Sequence, residues 1–392
     1  TMTDISRLTQ PFRVYADRLF AGDCRESENM VVTYLDGVIT DVTSFDPAKP
    51  MLENSVYTPI AAPGFIDIQI NGACDRQFNE LPDVETVTAI ANGARAGGTA
   101  YVLPTHTTAP REDYVQAMRA VEAAVTAGIP GILGIHLEGP FLSTEKPGIH
   151  AVTNIRPIEQ RDIKNIGSFT GGKILITLAP ECQPENSIQN LVSEGAIVFA
   201  GHSNATAKEI EQAISEGLAG VTHLFNAMSQ MTGREPGIVG AALVSDQLYC
   251  GIIADGHHVA WPNVRLSAGV LRCHLCLVTD AMRTLEGEEA EFSVHGKKIR
   301  LQSGRLTDAT GRLAGAQIAM DACVRNIIKF AGVDAATAIS MASTNPARAL
   351  KLDDQLGYVA PGYRASLSLL TDGYRATSVL VDGHLFSCRK NA

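Results

Sequence analysis

Four short apolar runs in this chain end on residues able to hold a cation or move a proton. One runs through His136-Leu137 to Glu138-Gly139-Pro140, a second reaches Gly201-His202-Ser203, a third Thr222-His223-Leu224, and a fourth Thr279-Asp280-Ala281-Met282. Two imidazoles and a carboxylate from three segments make the protein side of a catalytic divalent site, which normally leaves one position open for water. Taken singly, His202 or His223 reads as a hydrogen-bonded structural histidine. Glu138 and Asp280 resist that reading, because a carboxylate at the end of an apolar strand needs a cation or a hydrogen-bonding partner to stay ionised. Together the four point to one site.

Some architecture must bring these run ends to one place. Short β-type runs at 65–69, 100–103, 132–137, 174–178, 197–200, 220–224, 249–254 and 276–279 alternate with amphipathic stretches such as 84–96, 111–127 and 207–216. That alternation calls for parallel strands covered by helices. Eight such units fit a (β/α)8 TIM-type barrel, whose active site lies at the C-terminal ends of the strands, where the four residues fall. The alternative is an open doubly wound sheet, and no GxGxxG follows a strand to support it. The segment from Phe12 to Val42 carries β-formers around an Asp36-Gly37 turn, and the tail repeats the pattern around Asp372-Gly373 and Asp382-Gly383. The expected organisation is therefore a small β-sandwich domain built from residues 1–60 and 360–392, with a catalytic barrel over 61–359.

Composition narrows the function classes. A chain of 392 residues with 45% hydrophobic and 19% charged positions is an ordinary globular protein with room for a large core. Its 32 basic and 42 acidic residues leave a net charge of −10 with no basic cluster, so nucleic acid is not an expected partner. Apolar runs such as 237–244 fall far short of the roughly 20 residues a membrane span needs, and Thr1 to Phe20 lacks the apolar core of a signal peptide. A cytoplasmic protein without a membrane partner is expected. The eight cysteines are too sparse for a disulfide scaffold, and Cys273 and Cys276, a CxxC without a second pair, read as buried strand thiols.

Several blocks also carry a resemblance. Pro63-Gly64-Phe65-Ile66-Asp67, His136-Leu137-Glu138-Gly139-Pro140-Phe141, Gly201-His202-Ser203, Thr222-His223-Leu224-Phe225-Asn226-Ala227-Met228, Asp255-Gly256-His257-His258, Thr279-Asp280-Ala281-Met282, Leu313-Ala314-Gly315 and Thr344-Asn345-Pro346-Ala347 follow one another in order. In this the chain resembles the N-acetylglucosamine-6-phosphate deacetylases of the amidohydrolase superfamily, from about Pro63 to Pro361. The resemblance implies Glu138, His202 and His223 as metal ligands, Asp280 as catalytic acid and base, and His150 as a catalytic, substrate-contacting histidine that donates to the oxyanion or positions a sugar hydroxyl. It further implies Gln69, Ile149, His150, Asn226, Ala227, Arg234, Asp255, His258, Leu313, Ala314 and Gly315 as substrate-binding residues, with Arg234 and His258 on the phosphate. Many amidohydrolases end the first strand on His-x-His, but this chain has Gln69-Ile70-Asn71. Amides are poor ligands for a transition metal, so a single divalent ion is expected, zinc first, with Fe2+ or another divalent metal as alternatives. Ala316 stands where the pattern has Ser, which removes a hydroxyl near the sugar. The implied partner is a phosphorylated N-acetyl amino sugar, and the implied assembly a homodimer or dimer of dimers in which Arg234 or His258 reaches the neighbouring subunit's site. The competing expectations are an amidohydrolase for another N-acylated small molecule, such as N-acetylgalactosamine 6-phosphate, and an inactive amidohydrolase-like interaction scaffold.

Overall fold

The computed structural model describes residues 10–388; residues 1–9 and 389–392, counted in the expected terminal domain, lie outside the described residues. Eight strands form one parallel sheet in sequence order: β1 (Phe65–Ile70), β2 (Thr99–Thr107), β3 (Gly134–Glu138), β4 (Lys173–Leu178), β5 (Ile197–Ala200), β6 (Gly220–Val221), β7 (Tyr249–Ile252) and β8 (Leu275–Leu277). Their near-continuous apolar sequence suits strands covered on both faces. The residues after β8 close the sheet on β1: Asp280 N donates to Gln69 O at 2.9 Å and Asn71 N to Ala281 O at 2.8 Å. The architecture is a TIM-type barrel with a small β domain.

The expected runs at 220–224, 249–254 and 276–279 are longer than β6, β7 and β8. At β6 and β8 the chain leaves the ladder early because His223 and Asp280 take left-handed backbone, with φ of 30° and 48°. The helices match more closely. Val84–Ala96 is capped by the Asp83 side chain, and Ala207–Glu216 by a Thr206–Glu209 capping box. The stretch expected at 111–127 is helical over Tyr114–Thr126. Among the described residues no helix is long and apolar enough to cross a membrane.

Seven strands from both chain ends make the small sheet: Phe12–Gly22, Arg25–Leu35, Val38–Ser44, Ser55–Pro63, Leu367–Leu370, Ala376–Val381 and His384–Ser387. It is one sheet folded on itself, since its edge at Ile39 donates to Tyr363 O at 2.9 Å and Ala365 N donates to Gly37 O at 2.8 Å. Val14, Leu19, Val32, Ile39, Leu367 and Leu380 pack inside it as a separate core. The CxxC pair divides: Cys276 is buried in β8, but Cys273 is exposed, because it falls in the turn before that strand. No disulfide is formed among the described residues.

Gly134, the first residue of β3, has φ of +152°, and a Cβ there would stand 1.8 Å from the Lys173 carbonyl oxygen. Gly134→Ala should therefore cost about 3 kcal/mol, measured as a lower denaturant midpoint, and should shift Glu138 at the far end of the same strand.

Candidate active site

Each of the four residues singled out by type sits at or just past the C-terminal end of a barrel strand. Glu138 ends β3, His202 and His223 each lie two residues beyond β5 and β6, and Asp280 follows β8. His202, like His223 and Asp280, has positive φ, at 47°. Such backbone costs of order 1–3 kcal/mol for a residue with a side chain and persists where surrounding structure over-determines it. Here the return is convergence: Glu138 Oε1 lies 2.9 Å from His202 Nε2 and 3.0 Å from His223 Nε2, and the two ring nitrogens are 3.1 Å apart.

The proton count at this junction favours a cation. His202 Nδ1 is 2.9 Å from the Lys146 carbonyl oxygen, which only accepts, so the neutral ring carries its proton on Nδ1 and turns the Nε2 lone pair inward. That lone pair meets a second imidazole nitrogen and a carboxylate oxygen, with no donor required of the chain. All three ligand atoms lie within 4.8 Å of one another in buried residues, and two imidazoles with one carboxylate suit zinc or another divalent first-row ion. Burial opposes ionisation of Glu138, but without an ion the hydrogen bonds donated by Nε2 of His202 and His223 outweigh that and hold it well below the ordinary carboxylate range; a bound ion would take the place of those protons.

Asp280 is tuned the other way. Burial, helped by the charge of Glu138, pushes it up to about 6. Asn71 Nδ2 donates to its Oδ1 at 2.7 Å and Gln69 Nε2 at 3.4 Å, while the same Gln69 nitrogen lies 3.3 Å from Glu138 Oε2. Of the two amides in place of His-x-His, Gln69 thus bridges the two carboxylates and Asn71 holds Asp280 alone. Beneath them Thr279 Oγ1 donates to buried Asp67 at 2.5 Å, locking the β8–β1 seam. His150 is buried with Nδ1 2.7 Å from Thr108 Oγ1, and burial drops it well below the usual imidazole value, so it is a neutral ring.

A cavity of about 530 Å³ opens over this cluster, and Ile149, His150, Asn226, Ala227, His258, Leu313 and Gly315 line it with the four residues above. Asp255 orients His258, its Oδ2 2.7 Å from His258 Nδ1 and its Oδ1 accepting from the backbone N–H groups of His257 and His258. Ala314 faces instead into the small apolar core with Met282 and Phe292. Arg234 is not brought to the cavity: it is exposed on the loop before the helix Gly237–Val244 and makes no ion pair among the described residues. Its neighbour Glu235 does not pair with it but accepts from the backbone N–H groups of Ala207 and Gly237. Sequence reasoning missed Lys146, His295, Arg305 and Arg312, which also line the cavity. The last three belong to a stretch whose local signals include two hairpin turns, His295-Gly296 and Ser303-Gly304.

Comparison with known proteins gives the family. The Amidohydrolase family matches residues 60–386. This chain belongs to the amidohydrolase family. Among its relatives, an N-acetylgalactosamine-6-phosphate deacetylase from a Shewanella species is 38% identical over 366 residues, 92% of each chain. An N-acetylglucosamine-6-phosphate deacetylase from Haemophilus influenzae is 38% identical over 324 residues, 82% of this chain and 84% of that one. The crystal structure of N-acetylglucosamine-6-phosphate deacetylase from Pasteurella multocida superposes with a TM-score of 0.91 at 32% identity, covering 96% of this chain and 100% of that one. In this amidohydrolase, returning Zn2+ to chelator-stripped protein should raise its stability, by about 4 kcal/mol at a thousand times the dissociation constant. Scanning fluorimetry with metal analysis checks this, and Glu138→Ala should abolish both the bound ion and the stabilisation.

Proposed function

We propose that this amidohydrolase removes the acetyl group from N-acetylglucosamine 6-phosphate, giving glucosamine 6-phosphate and acetate in amino-sugar metabolism. The observation that carries this reading is the convergence of Glu138, His202 and His223 beside Asp280 in one cavity, in a chain whose relatives deacetylate hexosamine 6-phosphates. Glu138, His202 and His223 would hold the ion, with zinc the first expectation. When bound, a divalent ion supplies Lewis acidity and lowers the pKa of water, to about 7 for zinc.

The remaining work falls to the chain's own side chains. Asp280 Oδ1 is occupied by two amide donors, so Oδ2 takes a proton from the attacking water. As the C–N bond breaks, the same oxygen returns that proton to the sugar nitrogen, and the water's oxygen leaves in acetate. Gln69 keeps Glu138 and Asp280 apart in role, one ionised as a ligand and one poised to exchange a proton. His150, neutral and buried, donates to the carbonyl oxygen as charge builds there. Ile149, Asn226, Ala227, Leu313 and Gly315 cradle the sugar, with Ala314 setting the backbone between the last two. His258, oriented by Asp255, meets the phosphate. Arg234, exposed outside its own cavity, serves a neighbouring subunit in a homodimer or dimer of dimers. The division into a barrel over 61–359 and a small domain of 1–60 and 360–392 belongs to the same reading.

Acetate release should be strong with N-acetylglucosamine 6-phosphate and weak with the unphosphorylated sugar; release from neither discards the substrate, and preference for the galactosamine epimer reassigns it. Asp280→Asn should keep its metal and lose about 10²- to 10⁴-fold in kcat. Because Asp280 must be ionised to accept a proton, kcat/KM should fall as pH drops through about 6 and level off above it; a profile flat down to pH 5 removes Asp280 from the role.

A further inference from the structure

After β8 the chain builds a three-stranded antiparallel flap, Glu291–Val294, Lys297–Gln302 and Arg305–Thr307, before the helix Met320–Ala331. The turn joining its first two strands is the two-residue His295-Gly296, with φ of 52° and 71°, the doubly left-handed geometry of a tight hairpin. Asparagine, aspartate or glycine commonly leads such a turn and histidine tolerates it, so His295 is a permitted choice whose ring is free to take on a use.

The His295 imidazole stacks on that of His150, with centroids 5.0 Å apart and planes 19° from parallel, while His202 flanks His150 at 4.4 Å. The hydrogen bonds around His295 assign its protons. Asn79 Nδ2 donates to Thr107 O at 2.9 Å, so Asn79 Oδ1 is the acceptor for the Thr107 backbone N–H and hydroxyl, each at 2.8 Å. With its one proton given to Asn79, Thr107 Oγ1 can only accept from His295 Nε2 at 2.9 Å. Burial pushes His295 down to about 4, which agrees with a neutral ring protonated on Nε2. The flap also grips the backbone leading to His150: Lys297 Nζ donates to Ile149 O at 3.1 Å and Arg312 Nη1 to Gly148 O at 2.7 Å. Behind His295 a second cavity of about 640 Å³, lined by His106, Thr108, Asn154 and Ser293, leaves His150 room to swing if that ring is removed.

We propose that His295 is a positioning residue for the deacetylation, its ring held through Thr107 and Asn79 so as to confine His150 between itself and His202. This rests on the reading of His150 as the group that polarises the carbonyl. The benefit is orientation: a neutral donor is worth most when its ring is already aimed, and a displacement of about 1 Å can cost about 10²-fold in rate.

The test uses the metal-loaded, full-length enzyme and N-acetylglucosamine 6-phosphate. His295→Ala should lower kcat by about 10²-fold with KM within about threefold of wild type and metal content unchanged. His295→Phe, which keeps a ring of similar size, should recover most of that loss, and His295→Gln, which keeps only a donor for Thr107, should recover less. An alanine variant within about threefold of wild type in kcat, or a loss confined to KM, overturns the proposal. If the alanine variant does not fold, the phenylalanine variant decides, and a folded, metal-loaded but inactive His295→Phe overturns it. Should wild type release acetate from no acylated sugar phosphate, the underlying reading fails instead. The ring nitrogens of His150 in ¹⁵N-histidine spectra then test the positioning alone: one sharp set in wild type and broadened or doubled signals in His295→Ala support it, and identical spectra overturn it.

Discussion

Two imidazole nitrogens and a carboxylate oxygen, buried within about 3 Å of one another, need positive charge among them, whether ring protons or an ion. The surrounding fold is best understood as the apparatus that enforces this crowding. Strands β3, β5 and β6 run parallel so that their ends lie side by side, and left-handed backbone at His202 and His223 turns each ring inward at a cost that only a rigid barrel can sustain. The Lys146 carbonyl then selects the His202 tautomer, so a loop that touches substrate space also prepares the ligand.

The same crowding sets the electrostatics of the proton carrier. Two carboxylates in one buried site pull apart in proton affinity, one kept ionised by its imidazole partners and the other lifted to about 6. Gln69 and Asn71 stabilise this unequal pair with neutral donors. A pair of histidines in their place would bring further lone pairs and a second cation. The replacement of ligands by amides is therefore a change in what the site asks of Asp280 as much as in how many ions it holds.

Much of this was legible in the sequence. The alternation of apolar runs with amphipathic stretches gives the barrel, and residues of unusual polarity at the ends of those runs give Glu138, His202, His223 and Asp280, because strand ends are where parallel barrels expose side chains. Strand lengths were less legible at β6 and β8, where the demand for positive φ at His223 and Asp280 overrides β-propensity. The flap residues were hidden for another reason. His295, Arg305 and Arg312 reach the cavity only through a hairpin that folds back over the mouth, and nothing in local spacing reports which way a hairpin leans. Arg234 illustrates the converse, a residue singled out by resemblance that its own chain leaves outside the cavity.

The seam between barrel and small sheet bears on how such a chain is made. Strand Ser55–Pro63 pairs with Phe12–Gly22 on one side and with Leu367–Leu370 on the other, and it runs straight into β1. At the junction Gly64 N donates to Ser366 O and Phe65 N to Ser368 Oγ, both at 3.0 Å. The strand that carries Gln69 is therefore anchored by residues some three hundred positions later in the chain. During synthesis from the N-terminus, the backbone donors of Gly64 and Phe65 wait for residues 366 and 368, so the barrel can close before its seam with the small sheet does, and that seam is a late, long-range event in the life of each molecule.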